Sequence, residues 1–203
     1  MSQKIFRSVS TTAAGLSDDL HQAIVAIGPI SLRRRNSKPL LEVLCRSVAG
    51  QQLSTAAART IWGRVLDDAD SVPLQKYLQR VTVEQLRMCG LSNAKSKTMK
   101  AIVSAAETGK LNKQQLQQMS QDQRAAVLTE IWGVGQWTSD MMGIFYFGDK
   151  DIWPDNDVTA TKTLQRLTSK RRKTALTAAR FAPYRSYLAM YMYRFADVGV
   201  PSA

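Results

Sequence analysis

One histidine, two cysteines and a scattering of carboxylates set the chemistry open to this chain. His21 stands alone, so a serine-type triad, a histidine general base or a histidine-rich metal site has no second imidazole to build on. Cys45 and Cys89 are too few for a disulfide framework, an iron–sulfur set or a thiolate zinc cage. No metal is expected, and a reducing, intracellular setting fits. Acid–base or electrostatic work therefore falls to carboxylates. The stretch Trp153-Pro154-Asp155-Asn156-Asp157-Val158 leads into a helical pattern, with Asp157 at the point where that helix begins. There Asp157 can act as an N-cap worth ~1 kcal/mol, or as a fixed negative charge at the mouth of a cleft. Asp155 is the near rival.

A second constellation lies between Leu128 and Thr138, where Gly133-Val134-Gly135 separates two helical patterns. Glycines in such a turn permit positive φ and let a backbone approach a ligand closely. The helix that follows presents unpaired N–H groups, an anion site by geometry and dipole. A lone G-x-G is more often an ordinary helix corner. Trp132, Trp137 and Trp153 lie nearby in the chain and suit either a stacking wall for a planar ligand or a place in the core.

These residues need rigid elements beneath them. Apolar residues recur at three- and four-residue spacing almost throughout, without sustained alternation, which predicts an all-α fold. Ser17 before Asp18 and Asp19 should open a helix that Gly28-Pro29 closes, and Pro39 suits the first turn of the next. Ser54 caps a helix running to about Leu66. Thr82 with Gln85 and Ser120 with Gln123 have capping-box spacing, and Gly90 and Gly109 are natural stops. The last helix, from near Pro183, carries Tyr184, Tyr187, Leu188, Tyr191 and Phe195 as a core-facing stripe. Cys45, on the apolar face Leu40–Val48, reads as a small buried hydrophobe. No Gly/Ser or Pro linker divides the chain, so two lobes, if present, interleave.

The 203 residues hold 28 Lys and Arg against 16 Asp and Glu, a formal charge of +12. With 44% hydrophobic residues the chain can bury a core, and the excess charge favours a polyanionic partner. The basic runs Arg33–Arg35 and Lys170–Lys173 are phosphate contacts or simply solvated faces. No apolar run approaches the ~20 residues of a membrane span, and the N-terminus lacks the apolar stretch of a secretory signal. A basic helical module for acidic membranes would need an exposed amphipathic helix, and none stands out.

Taken in order, these motifs resemble the helix-hairpin-helix DNA glycosylases, in the alkylpurine (3-methyladenine) branch. The carriers are Gln51-Gln52-Leu53-Ser54, the Gly90-Leu91-Ser92 turn followed by Lys95 and Lys97, the hairpin with Trp137-Thr138, Pro154 with Asp157, and Tyr184-Arg185-Ser186-Tyr187. The resemblance spans about residues 39–195, within one glycosylase unit covering 1–203, with 128–141 as the helix-hairpin-helix motif. It implies two interleaved helical lobes with an active-site cleft between them, in a compact form without the N-terminal β-rich domain of some bacterial members.

It further implies a monofunctional enzyme that flips and excises N-alkylated purines from double-stranded DNA, acting as a monomer without a cofactor. Asp157 matches the catalytic aspartate. Trp137 stands where bifunctional members place a lysine for lyase chemistry, and with Trp132 and Trp153 it would line the base pocket. Leu53 matches the apolar wedge, though it also suits a hydrophobic staple before Ser54. Gln52, Gly133, Val134, Gly135 and Thr138 would contact DNA. Asp140, whose buried charge would need a partner, and Thr159 and Thr161, where the family favours apolar residues, leave a non-catalytic damage-binding module as the alternative.

Overall fold

Ser17 accepts a hydrogen bond from the Leu20 amide, Ser54 from that of Ala57 and Ser92 from that of Lys95, so the caps written in the sequence start the helices they announce. The computed structural model describes residues 3–198. Among them are thirteen α-helices and no strand. They run α1 (Gln3–Ala14), α2 (Asp18–Ile27), α3 (Leu40–Gly50), α4 (Thr55–Ala69), α5 (Leu74–Arg80), α6 (Val83–Met88) and α7 (Asn93–Glu107). There follow α8 (Lys113–Gln118), α9 (Gln121–Thr129), α10 (Gln136–Met141), a π-helical segment (Met142–Phe147), α11 (Val158–Leu167), α12 (Thr174–Ala179) and α13 (Arg185–Val198). Both capping boxes, at Thr82/Gln85 and Ser120/Gln123, are formed. Pro39 sits one residue earlier than expected, at the N-cap of α3, and α4 runs on from Leu66 to Ala69 because Trp62, Val65 and Ala69 continue its buried face.

The chain divides into two compact units, one made of residues 1–34 and 143–203 and the other of residues 35–142. In the first, α1 buries Ile5, Val9 and Ala13, spaced four apart, against α2. Helix α13 packs on α2 and α11, with Tyr187, Leu188, Tyr191 and Phe195 buried as the stripe predicts and Tyr184 half-buried at its start. The Tyr191 hydroxyl donates to the Gly28 carbonyl (2.8 Å), which ties α13 to the end of α2.

The second unit is built on α3 and α7, which pack on each other and on the shorter helices around them. Three of its cations point inward, to the C-terminal ends of helices where carbonyls lack intrahelical partners. Lys95 serves α3, donating to the carbonyls of Ala49 (2.9 Å) and Gln51 (2.7 Å). Lys100 serves α5 through the carbonyls of Leu78, Gln79 and Val81. Arg124 serves α8 through those of Leu116 and Met119. The basic excess is thus partly structural. Cys45 is buried on α3, and burial pushes its thiol well above the usual range. No helix among the described residues is long and apolar enough to cross a membrane.

Candidate functional site

The hairpin of residues 35–142 is held from behind. Gly133 has φ +81°, a region that costs an L side chain about 1–2 kcal/mol. A methyl group there would also overlap the Thr98 hydroxyl of α7 and come within 2.9 Å of its Cβ. Gly135 differs: its φ is −94°, and a Cβ would meet nothing within 4 Å. The two glycines split the work expected of both. Gly133 lets the turn seat on α7, and Gly135 leaves open space at the N-cap of α10, where no side chain caps the first turn. Val134 is buried, so its part in any contact is through its backbone. Trp132 is 57% exposed beside it, which excludes a core role, and Trp137 is half-buried on α10.

Thr138, expected among the DNA contacts, is buried, and its hydroxyl accepts a hydrogen bond from Gln51 Nε2 (2.9 Å). That bond joins α10 to the turn after α3. In the turn Gln52 adopts φ +56°, a strained conformation for a side chain of its kind, and Leu53 is 39% exposed, more than a staple packed beneath α4 would be. The turn is fastened at Gln51, whose side chain bonds Thr138 and whose carbonyl accepts from the Lys95 ammonium. Partial burial of that ammonium lowers its pKa from the usual lysine value. Asp140, also on α10, is buried with Gln136 Nε2 donating to its Oδ1 (2.8 Å). Desolvation raises its carboxyl above the usual range, against the lowering effect of that bond.

The unit of residues 1–34 and 143–203 carries the aspartate loop. Asp157 is the N-cap of α11: its Oδ1 accepts from the Ala160 amide (2.8 Å) and the residue is 8% exposed. A buried carboxylate at the positive end of a ten-residue helix is a fixed negative charge. Asp155 is exposed and its Oδ1 is engaged by the Trp153 indole N–H (3.3 Å) and the Thr174 hydroxyl (3.1 Å). Its role is to shape the loop. Trp153 is buried, with Pro154 beside it. Thr159 is exposed, and Thr161 returns its hydroxyl to the Asp157 carbonyl (2.8 Å), so neither places a polar group in an apolar core.

Sequence comparison adds an independent line. No family profile matches the chain. It is 29% identical over 177 residues to the alkylbase DNA glycosidase-like protein mag2 of Schizosaccharomyces pombe, covering 83% of each chain. It is 27% identical over 190 residues to DNA-3-methyladenine glycosylase 1 of the same yeast, covering 89% of this chain and 83% of that one. The solved structure of the Schizosaccharomyces pombe 3-methyladenine DNA glycosylase in complex with abasic DNA superposes with a TM-score of 0.80 at 26% identity, over 93% of this chain and 96% of that one. The chain is thus similar in sequence and fold to 3-methyladenine DNA glycosylases, which supports its resemblance to the helix-hairpin-helix glycosylases of the alkylpurine branch.

Several residues that carry the resemblance act as braces. Lys95 and Gln51 hold the turn of Gln52 and Leu53. Arg185 and Ser186 hold the approach to the Asp157 loop. The Arg185 guanidinium bonds both oxygens of Asp151 (2.8 and 3.0 Å), and the Ser186 hydroxyl donates to the Asp149 carbonyl while accepting from the Ile152 amide. Burial would raise the Asp151 carboxyl, but the Arg185 hydrogen bonds outweigh it and hold it below its ordinary value. Thr98 was missed altogether. Its signal was only its place one turn after Lys95, facing the glycine of a hairpin far along the chain.

Proposed function

We propose that the protein is a monofunctional DNA glycosylase that extrudes N-alkylated purines from double-stranded DNA and hydrolyses their N-glycosidic bond, leaving an abasic site. The observation that carries this reading is Asp157, a buried carboxylate fixed by α11 on a loop that Arg185, Ser186 and Thr174 hold in place. Breaking the glycosidic bond develops positive charge on the sugar. A preorganised anion stabilises that charge, and it can orient or deprotonate the attacking water. The alkylated purine is already cationic and leaves as a neutral base, which removes the need for a strong general acid.

Trp137, with Trp132 and Trp153 as further candidates, offers an aromatic face for the flipped cationic base, an attraction worth up to ~2 kcal/mol when desolvated. An indole cannot form a Schiff base, so strand cleavage is not part of the reaction. Leu53, carried on a strained and braced turn, fills the gap left by the extruded nucleotide, with Gln52 next to it. Gly133 shapes the hairpin, and Gly135 and the Val134 backbone meet phosphate. The protein acts as a monomer in an intracellular compartment.

Single-turnover release of bases from methylated duplex DNA tests the reading, with abasic sites scored by strand cleavage before and after alkali. Asparagine is as good an N-cap as aspartate, so Asp157→Asn preserves α11. It should keep duplex binding and lower release about 10³-fold. Excision at the wild-type rate in that variant would remove Asp157 from the mechanism. Lesion binding with no release by the wild-type protein would make it a damage-binding module instead.

A further inference from the structure

The residues 168–180 gather an uncompensated positive charge that the glycosylase reading has not used. Arg171, Arg172 and Lys173 from the loop after α11 and Arg180 from the end of α12 line one groove of about 480 Å³, with Leu16 and Leu176 among its apolar lining. No carboxylate lines it, and none of the four cations forms an ion pair among the described residues. They differ in this from Lys95, Lys100 and Arg124, which are spent on helix carbonyls.

The groove is also built. The Ser17 hydroxyl donates to the Leu167 carbonyl (2.6 Å), fixing the strand of chain next to Leu16 against the end of α11. The Arg171 amide is held by Ser169 Oγ (3.2 Å). Thr174, directly after Lys173, bonds Asp155, so the basic loop is continuous with the loop that presents Asp157.

We propose that this groove seats the sugar–phosphate backbone of duplex DNA, with Arg171, Arg172, Lys173 and Arg180 on its phosphates. This rests on the glycosylase reading and deepens it, giving the unit that holds Asp157 its own grip on DNA. Arginine forks match phosphate oxygens, and a backbone strand alternates charged phosphate with hydrocarbon-rich deoxyribose. A lining that mixes these cations with Leu16 and the 70% exposed Leu176 fits that alternation. An acidic protein segment is the less favoured occupant, because there is no strand edge to extend among the described residues and no helix-length apolar trough among those lining the groove.

The test is duplex binding by the full chain across a salt series, on DNA bearing a stable abasic-site analogue. Each phosphate contact contributes a slope of ~0.9 in log affinity against log salt. The variant R171Q/R172Q/K173Q/R180Q should flatten the slope by about 2–3.5 and weaken binding more than tenfold at physiological salt. A variant neutralising four exposed cations elsewhere, K4Q/R7Q/K76Q/R80Q, should flatten it by less than about 1. All eight positions are on the surface or at its edge, and melting temperatures check that both variants fold. Equal slopes in the two variants overturn the proposal while leaving the glycosylase reading intact. A groove variant that keeps its DNA slope but loses binding to polyglutamate overturns it in favour of an acidic protein partner. Failure of the wild-type protein to bind duplex at all overturns the glycosylase reading itself.

Discussion

The hairpin region and the aspartate loop solve opposite problems. Around Gly133 and Gln52 the braces are the buried Thr98 and Thr138 and the half-buried Lys95 and Gln51, while Trp132, Leu53 and Gln52 stay exposed at the tips. Strain at Gln52 is tolerated because two hydrogen bonds at Gln51, with the Leu53 amide on the Gly50 carbonyl (3.3 Å), over-determine the turn. Around Asp157 the arrangement is reversed: the proposed catalytic carboxylate is itself buried and bonded, and the ties run through Asp155, Asp151, Arg185 and Ser186. On the proposed function, a surface that engages a large, mobile polymer is held from within, and a charge that stays in place while a transition state forms is held at the charge.

The largest effect that separates these designs is expected at the two hairpin glycines. Gly133→Ala combines a positive φ with overlap on Thr98 and should cost about 3 kcal/mol in urea denaturation. Gly135→Ala meets nothing in the free protein and should change stability by less than about 0.5 kcal/mol. Its methyl group would stand where a phosphate approaches, so duplex affinity should fall about tenfold. Unchanged affinity for Gly135→Ala would mean that the hairpin is not a DNA contact.

Next in size is Lys95→Met. Losing two charge-assisted bonds to carbonyls should cost about 2 kcal/mol and slow excision from intact duplex about tenfold or more. Excision of a lesion already unstacked, opposite an abasic site, should suffer far less, because the turn has less to insert. Equal losses on both substrates would mark Lys95 as a support of the fold alone.

The smallest effects lie in two carboxylates shifted in opposite directions. Asp151 is held below its ordinary value, so its contribution is present above about pH 3.9 and is lost as pH falls from there through the folded pKa. Asp151→Asn should therefore lower the melting temperature at neutral pH and differ little from wild type in strong acid. Asp140 is raised, so wild-type stability declines as pH rises from about 3.9 through the folded value. Asp140→Asn should abolish that decline and be slightly more stable near neutrality. Melting temperatures between pH 2.5 and 7 check both signs.

Helix starts were the most legible part of the chain. Ser17, Ser54, Thr82 and Ser120 cap through contacts two or three residues away, so sequence spacing contains the whole interaction. Asp157 was legible for the same reason, since the N-cap role and the proposed catalytic role share one address. Less visible was the π-helical segment at Met142–Phe147, whose apolar run reads equally well as ordinary helix. The bond of Thr138 to Gln51 was not legible either, because its partner is 87 residues away.

Composition and order alone were enough for an all-helical, basic chain and for the motifs by which it resembles the 3-methyladenine DNA glycosylases. Those conclusions rest on periodicity, capping and residue inventory, which are local or summed properties. Packing decided the rest. It chose which cations are spent on helix ends and which gather in a groove, which hairpin glycine is sterically required, and which tryptophan is exposed. Each of these depends on an atom brought close from a distant part of the chain, and spacing along a sequence carries no record of that proximity.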